Sequence, residues 1–444
     1  MKRSMSAQHC DVAVIGGGPA GSTAAALLAR RGYQVIALEK QHHPRFHIGE
    51  SLLPMNLPLF ERLGVAEKVR ALGVYKRGAD FEADNERGYN TFAFDRALGN
   101  SPPHAYQVWR QDFDRMLFEH AGECGARVRE GHEVLAVEQR APRDTQLEVR
   151  TDDGRSYRIQ ARYLIDASGR DTFLAARKKL RRKNPLHQSA AIFGHFRGAD
   201  ARPGADAGNI SMYRFEHGWM WMIPLPQGVM SVGAVCWPDY LKQRKGRTVE
   251  FLLETLKLNH DLWRRMQHAE LIGSEVRVTG NYSYDSTRMG GPGWVLVGDA
   301  FAFIDPVFSS GVYLAMSGAE QAAEVVDRAL REPVLEVPLL RALEKRQRAG
   351  MERFSFFVYR FNEPVMRDMF RNPRNTLKLE QSVISMLAGD LFDAPQVLRR
   401  LRLFKLLYGI LALRNWRRWR AGHRYRLAQA RAQFTGGNTP LDQV

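Results

Sequence analysis

Cysteine is almost missing from this sequence. Cys10, Cys124 and Cys236 are the three in 444 residues. They are far apart and form no CxxC pair, which argues against a zinc site or a disulfide framework. That scarcity points to a reducing, cytoplasmic setting. Long apolar runs are also missing: none approaches ~18 residues, so no membrane-crossing helix is expected. The first ten residues are short and polar, without the apolar core of a signal peptide. Acid is in deficit too. There are 48 Asp and Glu against 65 Lys and Arg, a net charge of +17. The imbalance is concentrated: from Arg399 to Arg431 there are eleven Lys or Arg and no Asp or Glu. Neither an internal repeat nor a low-complexity linker is present.

What is there suits a large core. Hydrophobic residues make up 44% of the chain. Domains of about 100–200 residues suggest two or three units, interleaved or in series. Residues 11–15 read as a short buried strand, 22–31 as an alanine-rich helix and 34–39 as a second strand, a βαβ unit. Residues 111–125 read as a helix, and 145–166 as antiparallel strands ending in Tyr-Leu-Ile-Asp-Ala. A strand-rich stretch over 186–285, with Gly, Pro and Trp, suggests a sheet that covers something large. Residues 294–298 return to a buried strand, and helices follow after 311.

The turn Gly16-x-Gly18-x-x-Gly21 follows the first strand and opens the first helix. Glycines there let backbone N–H groups face a pyrophosphate, and the helix N-terminus adds positive partial charge. Glu39 ends the second strand, where a carboxylate can accept hydrogen bonds from an adenosine ribose. Such turns alone are weak signals; strand, helix and acid together point to a dinucleotide. Two strand-end segments, Asp166-Ala167-Ser168-Gly169 and Gly298-Asp299, favour FAD over NAD, because a strand-end Asp can hold a ribityl chain. The plain alternative is a common turn.

Four segments carry a resemblance. They are Gly16–Gly21, Arg45-Phe46-His47-Ile48-Gly49-Glu50-Ser51-Leu52, Trp219-Met220-Trp221-Met222-Ile223-Pro224, and Asp305-Pro306-Val307-Phe308-Ser309-Ser310-Gly311. Over residues 10–390 the chain resembles the flavin-dependent halogenases, within the wider group of aromatic hydroxylases; the third segment matches WxWxIP at every defined position. The resemblance implies an α/β fold: a Rossmann-like FAD-binding domain of the GR2 type (8–80, 105–185 and 285–330) interleaved with an antiparallel substrate-domain sheet (81–104 and 186–284). A helical C-terminal region (331–444) follows. It implies FAD contacts from Gly16, Gly18, Ala20, Gly21, Glu39, Lys40, Arg45, Ser51, Arg110, Asp299, Pro306 and Gly311. A separate flavin reductase would supply FADH2. Chloride or bromide, held near the backbone of Ser310 and Gly311, would be oxidised to hypohalous acid. Trp219 and Trp221 would shield the flavin; by periodicity alone they read as an ordinary buried strand.

The same resemblance assigns catalysis to Lys76, whose ammonium would bind hypohalous acid or become a haloamine after the acid has travelled through the protein. By composition Lys76 is one lysine among many, and surface solvation is the bland reading. Arg77 beside it stays protonated and is the poorer candidate. Ser309 would contact the electrophile. Where tryptophan halogenases carry a Glu, this chain has Phe308, which points to an electron-rich phenol or pyrrole, free or tethered to an acyl or peptidyl carrier protein. Aromatic monooxygenases and geranylgeranyl-reductase-like enzymes share the glycine turn and Gly-Asp and form the alternative reading. The basic stretch 398–431 suits a solvated helix, an acidic carrier protein or an anionic membrane surface; no nucleic-acid fold signature accompanies it. No metal ligand set stands out.

Overall fold

The computed structural model describes residues 8–84, 88–274, 276–280 and 283–432. The polar N-terminal residues 1–7 and the end of the C-terminal region, 433–444, lie outside the described residues.

An eight-stranded sheet is built on five parallel strands. Trp294–Leu296, Ser156–Asp166, Gln8–Ile15, Val35–Leu38 and Arg127–Arg129 lie side by side in that order. Short strands buried on both faces must be continuously apolar, and Val12, Ala13, Val14, Val35, Ile36 and Ala37 are almost wholly buried. The helix Pro19–Arg30 crosses over between the first two, with Pro19 at its first position, where the lost N–H costs nothing. An antiparallel ribbon, Asp144–Thr151 with His132–Ala141, extends from Ser156–Asp166.

The second sheet also has eight strands, and its pairs are antiparallel except one. Its spine runs Ala190–Arg197, Val229–Cys236, Gly218–Leu225, Ile210–Phe215, Gly78–Glu82, Tyr89–Ala93. Only Ile210–Phe215 and Gly78–Glu82 run parallel. The division expected at residue 81 therefore falls inside Gly78–Glu82, which belongs wholly to this sheet. The strand just before it, Gly73–Lys76, instead pairs with Ala105–Val108 in a two-stranded ribbon. Two helices inside 186–285, Thr248–Lys257 and His260–Arg265, are hidden in the strand-like composition. Leu252 and Leu256 bring their buried face onto Met220, Met222 and Val232.

Gly218–Leu225 has two faces with two duties. Met220 and Met222 enter the core under these helices, while Trp219, Trp221 and Ile223 pack toward the first sheet. This is the period-two alternation of a strand buried on both sides. Each fully buried side chain contributes about 1.5–3 kcal/mol, so both faces hold the register. Among the described residues after 311 the regular elements are all helices, beginning with Gly311–Arg331, which packs on Pro19–Arg30.

The first turn is tolerant of glycine alone. Gly16 has φ +104°, and a Cβ there would lie 2.3 Å from the Ala167 carbonyl oxygen; at Gly21 it would lie 1.9 Å from the Gly16 carbonyl oxygen. Gly21→Ala is expected to lower stability by about 1–3 kcal/mol. Urea unfolding checks this.

Candidate active site

A cavity of about 440 Å³ lies between the two sheets. The glycine turn forms one end. Gly16, Gly18 and Ala20 line it, and a side chain at Gly18 would meet only the Arg45 guanidinium, 3.7 Å away. Gly21 does not line it; its part is to let helix and strand close together. Glu39 sits at the same end, buried. Its Oε2 accepts from the Gly17 N–H at 2.9 Å and from Arg45 Nη2 at 3.0 Å, and its Oε1 accepts from the Gln41 N–H at 3.0 Å. Burial pushes this carboxyl up, but the Arg45 guanidinium and the two amides outweigh it and hold the group below the usual carboxylate range. Lys40 lines the rim and pairs with Asp171 at 2.5 Å, where both are half exposed.

The two strand-end aspartates part ways. Asp166 turns into its own loop, accepting from the Ser168 N–H at 2.9 Å and the Leu174 N–H at 2.7 Å. Asp299 lines the cavity, and burial pushes its carboxyl up to about 6 against the opposing charges of Arg170 and Arg110. Of the two, Asp299, in the short turn Gly298–Ala300 that follows the strand Trp294–Leu296, is the one whose side chain borders the cavity. Arg110 opens the helix Arg110–Glu123, yet it is buried. It donates to both oxygens of Asp114, at 2.8 and 3.0 Å, and to the Ile48 carbonyl at 2.5 Å. Beside it, His47 lines the cavity and is pushed down to about 4 by burial and by the Arg110 charge. The imidazole is therefore neutral at pH 7, donating or accepting without adding charge.

At the other end, Pro306, Ser309 and Gly311 line the cavity, while Ser310 is buried behind them. Ser309 has φ +55°, a left-handed turn that swings the chain into Gly311–Arg331. The first amides of that helix lack internal acceptors, and Gly311 faces open space. Asp305 anchors the loop. Its Oδ1 accepts from Trp219 Nε1 at 3.2 Å and from the Val307 N–H at 3.1 Å. Its Oδ2 accepts from Ser189 Oγ at 2.8 Å and lies 2.8 Å from His187 Nε2. Trp219 and Trp221 form the facing wall, 5.6 Å apart between ring centroids.

Lys76 is buried, contrary to the bland surface reading. Its Nζ donates to Ser51 Oγ and to the Leu52 carbonyl, both at 2.9 Å, and lies 5.4 Å from the centre of the Phe94 ring. No carboxylate balances it among the described residues, and burial pushes the ammonium down to about 7. Lys76 does not line the cavity. Ser51 and Glu50 do, so the lysine meets the wall from behind through Ser51.

The FAD binding domain family matches residues 9–352. A flavin-dependent halogenase of Armillaria mellea is 35% identical over 78% of this chain and 73% of its own length. The chain belongs to the flavin-dependent halogenases. A 1H-pyrrole-2-carbonyl-peptidyl-carrier-protein chlorinase of Pseudomonas fluorescens is 30% identical over 88% of this chain and 92% of its own. The solved structure of the myxobacterial chondrochloren halogenase CndH matches with a TM-score of 0.75 at 31% identity, covering 89% of this chain and 96% of that one. This halogenase is an FAD-dependent enzyme that uses halide, and its open glycine backbone and the half-buried, cavity-lining Asp299 fit such a cofactor.

Three residues went unassigned in the sequence reading although their segments were singled out. His47, Glu50 and Asp305 stand inside the matched motifs, but only folding reveals their partners. Glu50 Oε1 lies 2.6 Å from His195 Nε2, from a strand 145 positions away. Phe308 is more than a missing acid. It is buried against Phe361 and Phe370, at 5.6 and 6.3 Å between ring centroids. In this halogenase Asp305→Ala would leave the Trp219 indole N–H, the Ser189 hydroxyl and the Val307 amide without their acceptor. A loss of at least about 2 kcal/mol in urea unfolding is expected, with Asp305→Asn closer to wild type.

Proposed function

We propose that this halogenase transfers halogen to an electron-rich arene of the phenol or pyrrole type through the amine of Lys76. The observation that carries this is the buried Nζ, held by two neutral oxygens and pushed down to about 7. An ammonium with a carboxylate partner would stay protonated at neutral pH. This one deprotonates there, and a free amine is what an electrophilic halogen needs.

When bound, reduced FAD would supply two electrons and two protons, so that O2, halide and one further proton give hypohalous acid and water. The protein's share is position and exclusion. Gly16, Gly18 and Ala20 would hold the pyrophosphate, with Glu39, Lys40 and Arg45 toward the adenosine end and Ser51, Arg110 and Asp299 toward the flavin. Ser310 and Gly311 present the halide at the start of the long helix, where unpaired amides favour an anion, and Pro306 borders the flavin. Trp219 and Trp221 keep the arene away from the flavin, so oxygen is not delivered to it directly.

Lys76 then takes the halogen. The amine and hypohalous acid give an N-haloamine and water; the arene attacks the halogen, loses its ring proton, and the amine is restored. Ser51 stands between cavity and lysine, and its hydroxyl hands the acid across; Ser309 steadies the electrophile on the cavity side. With Phe308 in an apolar ring cluster, no carboxylate assists, which suits a ring already activated by oxygen or nitrogen. FADH2 comes from a separate flavin reductase. The pyrrole attached to a peptidyl carrier protein, named for the Pseudomonas relative, sets the model for a tethered substrate here.

Purified protein given FADH2, O2 and bromide, with free and carrier-bound phenols and pyrroles, should yield a product carrying bromine's isotope doublet in intact mass. A product gaining only oxygen, or turnover with NADPH and no reductase, rejects this reading. Lys76→Ala should keep FAD and still consume oxygen, yet lose halogenation by at least about 100-fold. Because burial lowers this group, the neutral amine is present above about 7 and lost as pH falls through it. Halogenation should therefore drop about tenfold from its plateau by one unit below that value, while oxygen consumption changes less.

A further inference from the structure

The two C-terminal helices carry a surface that the reaction does not use. Pro395–Arg414 buries Val397, Leu401, Phe404, Tyr408 and Ala412 against the body, a face recurring every three or four residues. Its opposite face should then be polar, and it is not. Leu406 is 61% exposed, Ile410 45% and Leu413 73%, at i, i+4 and i+7. Trp416, 47% exposed, continues the stripe into Trp416–Arg431. Along the helix axis Leu406 to Leu413 spans about 10 Å, so these side chains form one strip rather than scattered apolar residues.

Cations frame the strip. Arg399, Arg402, Arg414, Arg417 and Arg420 are all exposed, and among the described residues no carboxylate lies within 4.0 Å of any of them. Arg418 and Arg426 are the exceptions in this stretch, paired with Asp368 and Glu363. Arg420 lies over the Trp416 ring, 5.1 Å from its centre, but none of the five has an acid among the described residues to offset its charge. They gain at a surface that offers both apolar depth and anionic oxygens. No helix among the described residues is long and apolar enough to cross a membrane, so the contact would lie flat.

We infer that the outer face of Pro395–Arg414, continued by Trp416, docks this protein on an anionic lipid bilayer, leucines entering the interface and arginines meeting headgroup phosphates. An acidic protein partner would share the charge but not the shape. Leu406, Ile410 and Leu413 stand out from a convex helix and would need a groove in the partner, whereas lipid closes around them. This inference rests on the surface alone and stands or falls apart from the chemistry at Lys76.

The test is flotation of the full-length protein with phosphatidylcholine–phosphatidylglycerol vesicles against phosphatidylcholine alone. Binding is expected to the anionic vesicles, stronger by at least about tenfold. Leu406→Glu with Leu413→Glu should cut it about tenfold or more, with flavin content and circular dichroism unchanged. Binding that both vesicle types share, or that these leucine changes leave intact, overturns the inference. So does a protein that ignores vesicles but shifts an acidic carrier domain on a native gel. A dimer in sedimentation that the leucine variant dissolves, without vesicle binding, overturns it as well.

Discussion

One buried carboxylate holds the working arrangement together. Asp305 begins the loop that leads into the long helix Gly311–Arg331, and it is tied to the wall strand through the Trp219 indole and to the start of Ala190–Arg197 through His187 and Ser189. Loop and wall belong to different sheets. Without the tie, the gap at this loop would be set largely by apolar contact, which is non-directional. Hydrogen bonds to a charged acceptor fix distance and angle. The cavity's width, and hence what can stand beside a flavin, follows from that geometry.

The same logic sets the charge states of the groups around it. Some charges are neutralised by pairs: Glu39 with Arg45, Asp114 with Arg110. At others desolvation dominates: the Asp299 carboxyl is pushed up to about 6 despite Arg170 and Arg110, and the Lys76 ammonium, with no acid beside it among the described residues, is pushed down to about 7. Paired charges bind and stay ionised; groups whose desolvation is not offset titrate near neutrality. A protein that must hold a nucleotide and move protons needs both kinds of environment, and this fold contains both.

Much of this was legible in the sequence. The glycine turn needed only the order strand, turn, helix, and the parallel sheet followed from short runs such as Asp11–Ile15. Trp219 and Trp221 were readable as strand residues, and the motif gave them a face. Other features were hidden because they depend on distant partners. Nothing local distinguishes Asp166 from Asp299, since each ends a strand; only the folded turn shows that two amides occupy the first. The depth of Lys76 was likewise invisible, because its neighbours Ser51 and Phe94 come from other elements. The helices Thr248–Lys257 and His260–Arg265 were masked by a composition dominated by flanking strands.

The two-faced wall strand has a chemical side. Along Gly218–Leu225 the methionines all turn away from the cavity and the tryptophans toward it. The rest of the lining follows suit. The chain holds 15 methionines and three cysteines, yet among the described residues none of them lines the cavity. Thioethers and thiols are the side chains that oxidants convert most readily to sulfoxides and sulfenic acids. A chamber that generates such an oxidant many times over is spared sulfur on its inner surface, and the alternation of a single β-strand keeps it out.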